Sequence, residues 1–189
     1  MRKIIASMHV SLDGFAAGPN GEIDWVKLDD ELFDLVGNFT AEADTALYGR
    51  ITYEMMESYW PTAADKPNAT KHDIEHSRWY NGATKIVLSR TMRGKEPDKT
   101  IVMSGNIPEN IYNLKRQKGK NILIFGSLSS VRYLMQLNFI DDFWLFINPI
   151  ILAQGIPLFT GLKDKIKLHL LAVKEFRCGV TGLHYTLCQ

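Results

Sequence analysis

The sequence predicts a single α/β domain, spanning 1–189, built on a mostly parallel sheet with helices on both faces and an antiparallel hairpin at its C-terminus. Three observations carry this. Strand-like apolar runs alternate with helix-periodic segments along most of the chain. Two of the runs, Ile4-Ile5-Ala6 and Ile122-Leu123-Ile124-Phe125, are continuous, as strands buried on both faces must be. The tail from Lys167 to Leu187 alternates instead, with Leu183, Tyr185 and Leu187 on one side and a turn at Arg177–Gly179.

The first strand runs from Lys3 to Met8. From Ser11 to Asp24 the pairs Asp13-Gly14, Gly18-Pro19 and Asn20-Gly21 are turn signals too dense for a regular element. Asp29 or Asp30 caps a helix whose Leu32, Val36, Phe39 and Ala43 form one apolar stripe. Thr45–Tyr48 is a short strand ended by Gly49, and a second helix passes through Tyr53, Met56 and Tyr59 before Trp60-Pro61. The polar stretch from Pro61 to Asn81 reads as loop with a helical turn. Thr84–Leu88 and Thr100–Met103 are β-rich, joined by a charged connection from Arg90 to Lys99. Pro108, an apolar face of Ile107, Ile111 and Leu114, and Gly119 as a stop predict a helix between Asn106 and Gly119. Asn121–Phe125 leads through Gly126-Ser127 into a helix with Leu128, Val131, Leu134 and Leu137 on one face, and Phe143–Ile147 is the next strand.

Composition excludes several function classes. A net charge of +1 with scattered Lys and Arg offers no basic face for nucleic acid and no polybasic arm for a membrane surface. No apolar stretch approaches the roughly 20 residues needed to cross a bilayer. His9, Ser11 and Asp13 interrupt the first apolar run before a signal-peptide core forms. Two cysteines, Cys178 and Cys188, are too few for a disulfide framework, so reduced thiols and a cytoplasmic location are expected.

Chemistry is expected where parallel strands end and helices begin. Gly49-Arg50-Ile51-Thr52 places a glycine, a forked cation and a hydroxyl at a helix start, which suits phosphate and equally suits a capped turn with a solvated arginine. Leu88-Ser89-Arg90 ends another strand in a hydroxyl and a guanidinium. Phe125-Gly126-Ser127-Leu128-Ser129 lets backbone approach a ligand closely and opens the next helix with small hydroxyl residues. Glycine spacing of the Rossmann type and a Walker lysine are both missing. His72-Asp73-Ile74-Glu75-His76 matches a zinc-peptidase pattern, but no third ligand follows in a helical context, so no metal is expected. His9, His169 and His184 fall in strand patterns and are expected to be structural.

Taken together, Gly49-Arg50-Ile51-Thr52-Tyr53-Glu54, Val87-Leu88-Ser89-Arg90 and Ile124-Phe125-Gly126-Ser127-Leu128-Ser129 resemble, in order and spacing, three cofactor segments of dihydrofolate reductases. Segments 11–25 and 148–159 resemble more closely the reductase (RibD C-terminal) domain of bacterial riboflavin biosynthesis and its stand-alone relatives. The resemblance covers nearly the whole chain and implies an eight-stranded dihydrofolate-reductase-like sheet, NADPH as hydride donor, a small heterocyclic substrate and often a homodimer. By position it implies that Arg50 and Arg90 with Ser89 hold the 2′-phosphate, that Thr52 beside Gly49 takes the diphosphate with Gly126, Ser127, Leu128 and Ser129, and that Ala6 lies beside the nicotinamide. Two arginines near the 2′-phosphate favour NADPH over NADH. Ser127 departs from the paired glycines usual in that loop.

Hydride transfer also needs a proton source or a polarising group. Asp30 follows Trp25 at the interval of the pterin-binding carboxylate in dihydrofolate reductases, and a helix cap explains it as well. Asp13 matches the riboflavin-reductase pattern and also suits a tight turn. Trp25 and Asn148 are the substrate-pocket candidates. The expected activity is NADPH-dependent reduction of a pteridine, an aminopyrimidine sugar or a similar ring. The alternatives are dihydrofolate reduction proper and a nucleotide-binding or dimer-forming protein without turnover. No deaminase-type Cys/His motif accompanies the reductase-like segments, which argues against the riboflavin intermediate itself.

Overall fold

A computed structural model of the protein describes residues 1–93 and 97–188. Its centre is β1 (Ile4–Ser11), flanked on both sides by parallel neighbours, β6 (Asn121–Phe125) and β7 (Asp142–Asn148). Beyond β6 lie β3 (Ala43–Gly49), β4 (Thr84–Leu88) and β5 (Thr100–Met103), all parallel. Beyond β7 the hairpin of β9 (Leu168–Glu175) and β10 (Thr181–Leu187) joins antiparallel through β10. The eight strands therefore run β5-β4-β3-β6-β1-β7-β10-β9.

The period of two along β1 assigns the layers. Ile4, Ala6, Met8 and Val10 share one core with Ile122, Ile124 and Phe143 under α4 (Ile107–Arg116) and α5 (Leu128–Gln136). Ile5 faces the other way, where α1 (Asp30–Ala41) packs Leu32 and Val36 on Trp144 and Phe146. On the same side α2 (Arg50–Glu57) and α3 (Lys71–Gly82) pack Tyr53 and Tyr80 on Ala46, Tyr48 and Val87.

The structure corrects several expectations. Residues 61–81 hold a short 3-10 helix, Trp60–Asp65, and then the full helix α3, started by a capping box in which Thr70 and Asp73 bond each other's backbone. Its inward residues are His76, Ser77 and Tyr80 rather than leucines, so no apolar stripe marks it. The second helix stops at Glu57, short of Tyr59. Ala43 opens β3 instead of closing the α1 stripe. The loop after β1 contains β2 (Phe15–Ala17), which pairs with β8 (Ile156–Pro157) in a ribbon too short for periodicity to reveal. Of the charged connection after β4, residues 94–96 lie outside the described residues.

Where the strands begin, ion pairs fasten the sheet. Arg2 binds Asp44 and donates to Thr45 Oγ1 at 2.6 Å and to the Lys120 carbonyl at 2.6 Å. Lys3 meets Asp142 at 2.9 Å, and buried Lys115 meets Asp141 at 2.6 Å. The opposite edge, where the parallel strands end, carries the loops.

Candidate functional site

Gly49 ends β3 and serves as N-cap of α2, and its backbone comes close to the start of α5. A Cβ there would sit 2.8 Å from Ser129 Oγ, 3.3 Å from Ser130 Oγ and 3.4 Å from Ser127 Oγ, so close approach explains the glycine. The Gly49 amide donates to Ser127 Oγ at 2.7 Å, and Ser127 Oγ donates to Ser130 Oγ at 3.1 Å. Gly126, in the left-handed region at φ +61°, turns the chain between β6 and α5 while its amide donates to the Ser7 carbonyl at 3.2 Å. The starts of α2 and α5 are thereby held side by side. Each presents first-turn amides that no helical carbonyl can satisfy, together with the positive end of a helix dipole.

Beside them a cavity of about 210 Å³ opens between the ends of β4 and β5 and the starts of α4 and α5. Leu88, Met103, Ile107 and Tyr133 give it apolar walls, and Ser89, Arg90 and Ser129 stand at its polar side. Ser89 Oγ accepts from the Met92 amide at 3.0 Å and the Thr91 amide at 3.3 Å, forming the turn that presents the exposed Arg90. Arg50 lies along α2 and bonds Glu54 at 2.9 and 3.0 Å. Both side chains are exposed, so this pair contributes little and yields readily to a stronger anion. Thr52 is half-buried in the same helical turn.

Several of the expected residues have their surroundings fixed by the fold itself. Ser127 has no exposed surface, so its hydroxyl bonds only within the protein, and what Ser127 itself can offer a ligand is backbone. Ala6 is likewise fully buried, in the core beneath α4 and α5. Asp13 is spoken for: its oxygens accept from the amides of Leu152 at 3.1 Å and Ala153 at 2.8 Å, strapping the loop after β1 to the loop after β7. Hydrogen bonding to Ser11 and then to those amides holds its carboxyl below the usual range, so it stays an anion at neutral pH. Of the two aspartates offered as cap, Asp29 is the one that caps α1, accepting from the Leu32 amide at 2.9 Å, and its other oxygen accepts from the Cys178 amide at 2.9 Å. Asp30 follows as the first helical residue, exposed.

Asn148 is fully buried, a knot in the protein and not a surface of a pocket. Its Oδ1 accepts from the Lys27 amide at 2.8 Å, while Nδ2 donates to the Phe146 carbonyl at 3.1 Å and lies 3.2 Å from His9 Nδ1. Trp25, half-buried in the loop that Asn148 anchors, donates from Nε1 to the Glu22 carbonyl at 3.0 Å. His9 stacks on Phe146, and burial pushes its imidazole down to about 4. An amide nitrogen can only donate, so neutral His9 accepts at Nδ1.

A second feature escaped sequence reasoning. His72 and His76 share a face of α3, with ring centroids 5.3 Å apart, but their neighbours are rings and not ligands. Phe33 of α1 stacks on His72 at 3.9 Å, and Trp60 packs against both histidines. Phe125, the last residue of β6, lies 5.5 Å from His76. Among the described residues no group of three or more His, Cys, Asp or Glu side chains is placed to hold a metal ion. The spacing that resembled a metal motif was the signal for this cluster.

The sequence model of the RibD C-terminal domain matches residues 2–181. The chain belongs to this family. The "Uncharacterized protein YyaP" of Bacillus subtilis (strain 168) is 33% identical over 186 residues, covering 97% of this chain and 94% of that protein. In structure this RibD C-terminal domain is similar to a putative riboflavin biosynthesis protein from Shewanella sp. PV-4, with TM-score 0.73 and 22% identity over 99% of both chains. It is similar also to the dihydrofolate reductase of Enterococcus faecalis complexed with NADP(H), with TM-score 0.63 and 15% identity over 99% of this chain and 97% of that one. The eight-stranded dihydrofolate-reductase-like sheet implied by the sequence is thus the fold observed. No helix among the described residues of this RibD C-terminal domain is long and apolar enough to cross a membrane.

Proposed function

We propose that the protein is an NADPH-dependent reductase that delivers hydride to a small flat nitrogen heterocycle, a pteridine or an aminopyrimidine derivative. The observation that carries this is the pair of helix starts locked together by Gly49 and Ser127 next to an apolar cavity with Arg90 at its rim. Such a cradle suits a diphosphate, and the cavity suits an adenine ring with a 2′-phosphate outside it. The residues present fit the cofactor: Thr52 and the first-turn amides of α2 and α5 would take the diphosphate, and Arg50 and Arg90 the 2′-phosphate. When bound, NADPH supplies the hydride. The protein supplies alignment, with Asp13 strapping the loop after β1. Because the oxygens of Asp13 are engaged there, Asp30 is the carboxylate proposed to assist proton transfer. Two free thiols, Cys178 and Cys188, agree with a cytoplasmic setting.

Calorimetric titration with NADPH and NADH tests the cofactor. NADPH is expected to bind more tightly than NADH, and Arg50→Ala to weaken NADPH by about tenfold, or about 1.4 kcal/mol, with little change for NADH. Absence of binding by either nucleotide would defeat the proposal. Binding without oxidation across a panel of pteridines and dihydrofolate would favour the alternative of a nucleotide-binding protein without turnover.

The proposed macromolecular partner is a second copy of the chain. Edge strand β9 exposes Leu170, Leu171 and Val173 at 44%, 49% and 55%, an apolar border that a soluble monomer normally blunts with charge. Sedimentation should show a dimer that Leu170→Lys combined with Val173→Lys converts to monomer; a wild-type monomer would refute the pairing.

A further inference from the structure

The aromatic cluster between α1 and α3 has features that packing alone does not require. His76 is 6% exposed, and its Nδ1 is buried without a hydrogen-bond partner. Around it are the rings of Trp60, His72, Trp79 and Phe125. Neither indole N–H is free to help, since Trp60 Nε1 donates to Met56 Sδ at 3.0 Å and Trp79 Nε1 donates to the Ala43 carbonyl at 2.9 Å. An unpaired buried nitrogen is costly, and a core histidine normally finds a partner.

His72 is the outer member. Its imidazole lies nearly parallel to Phe33, with centroids 3.9 Å apart and planes 16° apart, and meets Trp60 edge-on at 5.5 Å. It is half-buried on the first turn of α3, so a rotation of its side chain carries the ring toward solvent. What it would leave is a slot with one flat wall, Phe33, one edge wall, Trp60, and His76 behind. Phe125 ties this slot to the cradle described above, because it touches His76 and is followed directly by Gly126.

We infer that His72 plugs a binding slot for a flat nitrogen heterocycle: the ligand's ring replaces the imidazole against Phe33 and Trp60, and its polar edge hydrogen-bonds to Nδ1 of His76. The inference rests on the reductase reading for the identity of the ring as substrate. Burial pushes His76 down to about 3, so it meets the ligand as a neutral imidazole, able to pair with a ring N–H or a ring nitrogen according to its tautomer. Aromatic stacking then supplies affinity, and His76 supplies discrimination between a nitrogen heterocycle and a hydrocarbon ring of the same shape.

The test uses 2,4-diamino-6,7-dimethylpteridine as probe, with affinity read by calorimetry and by quenching of tryptophan fluorescence, and with Trp60→Phe identifying the quenched indole. His72→Ala, which removes the plug, is expected to bind the probe about tenfold more tightly than the wild type, with NADPH affinity unchanged. His76→Phe keeps a ring and removes the nitrogen, and is expected to weaken the probe about tenfold at unchanged NADPH affinity. His72→Ala lies on an accessible turn and tests the slot even if His76→Phe fails to fold. Unchanged or weaker binding by a folded His72→Ala, or no binding by either it or the wild type, overturns the inference while leaving NADPH binding to stand. Failure of NADPH to bind with the probe still responding to His72→Ala defeats the reductase reading and leaves the slot.

Discussion

Asn148→Ala is expected to destabilise the protein by about 2–4 kcal/mol, lowering the thermal midpoint by about 5–15 °C for a domain of this size. The side chain is fully buried and its partners cannot replace it. Truncation strands the Lys27 amide, which now donates to Oδ1 at 2.8 Å, and leaves His9 Nδ1 without the donor 3.2 Å away. Each stranded group costs about 1–3 kcal/mol if water cannot reach it. The loss is also local: Lys27 is the point at which the Trp25 loop is fastened to the ends of β1 and β7, so proteolysis between Glu22 and Asp29 should accelerate. Differential scanning calorimetry settles the matter, and a midpoint within about 2 °C of wild type would show that the knot contributes little.

The second large effect is acid sensitivity above the range in which carboxylates titrate. Burial pushes His9 to about 4 and His76 to about 3, both below the ordinary imidazole value of 6.5. As pH falls through about 6.5 the unfolded chain takes up protons on these rings, while the folded chain refuses them until near 4 or 3. The stabilisation is therefore complete above about 6.5 and drains away below it, at up to about 1.4 kcal/mol per pH unit for each ring. His72 and His184, lowered chiefly by partial burial, add in the same direction. Urea unfolding should give a free energy about 2–4 kcal/mol smaller at pH 5.0 than at pH 7.5, and His76→Phe should remove about half of that difference. Equal stability at the two pH values would mean that these imidazoles are not kept neutral by the fold.

How much of this was written locally differs by element. Asn121–Phe125 and Thr84–Leu88 are strands with the predicted limits because a strand buried on both faces must be continuously apolar, and a glycine or a hydroxyl ends each run. Helix α3 was hidden because its inner face is His76, Ser77 and Tyr80, whose packing value depends on the rings they meet. The three strand ends that resemble cofactor segments were legible as residue types, Gly49, Arg90 and Gly126 among them. The job of Ser127 was not, since it is defined by a bond to an amide 78 positions away. Asn148 and Lys27, 121 positions apart, make the same point. The choice between Asp29 and Asp30 as cap was a matter of one residue, which pattern cannot resolve and a single hydrogen bond can.

The ion pairs of Arg2 and Lys3, just before β1, and of Lys115, near the C-terminal end of α4, reach Asp44, Asp142 and Asp141 at the starts of β3 and β7, the end of the sheet opposite the loops at Gly49, Arg90 and Asn148. Substitutions in those loops leave this clamped floor untouched. Fold and loop chemistry are consequently separable in this chain: the upper loops can be exchanged while the floor continues to hold the strands in register. Anyone redesigning the protein would keep the floor and rewrite the rim.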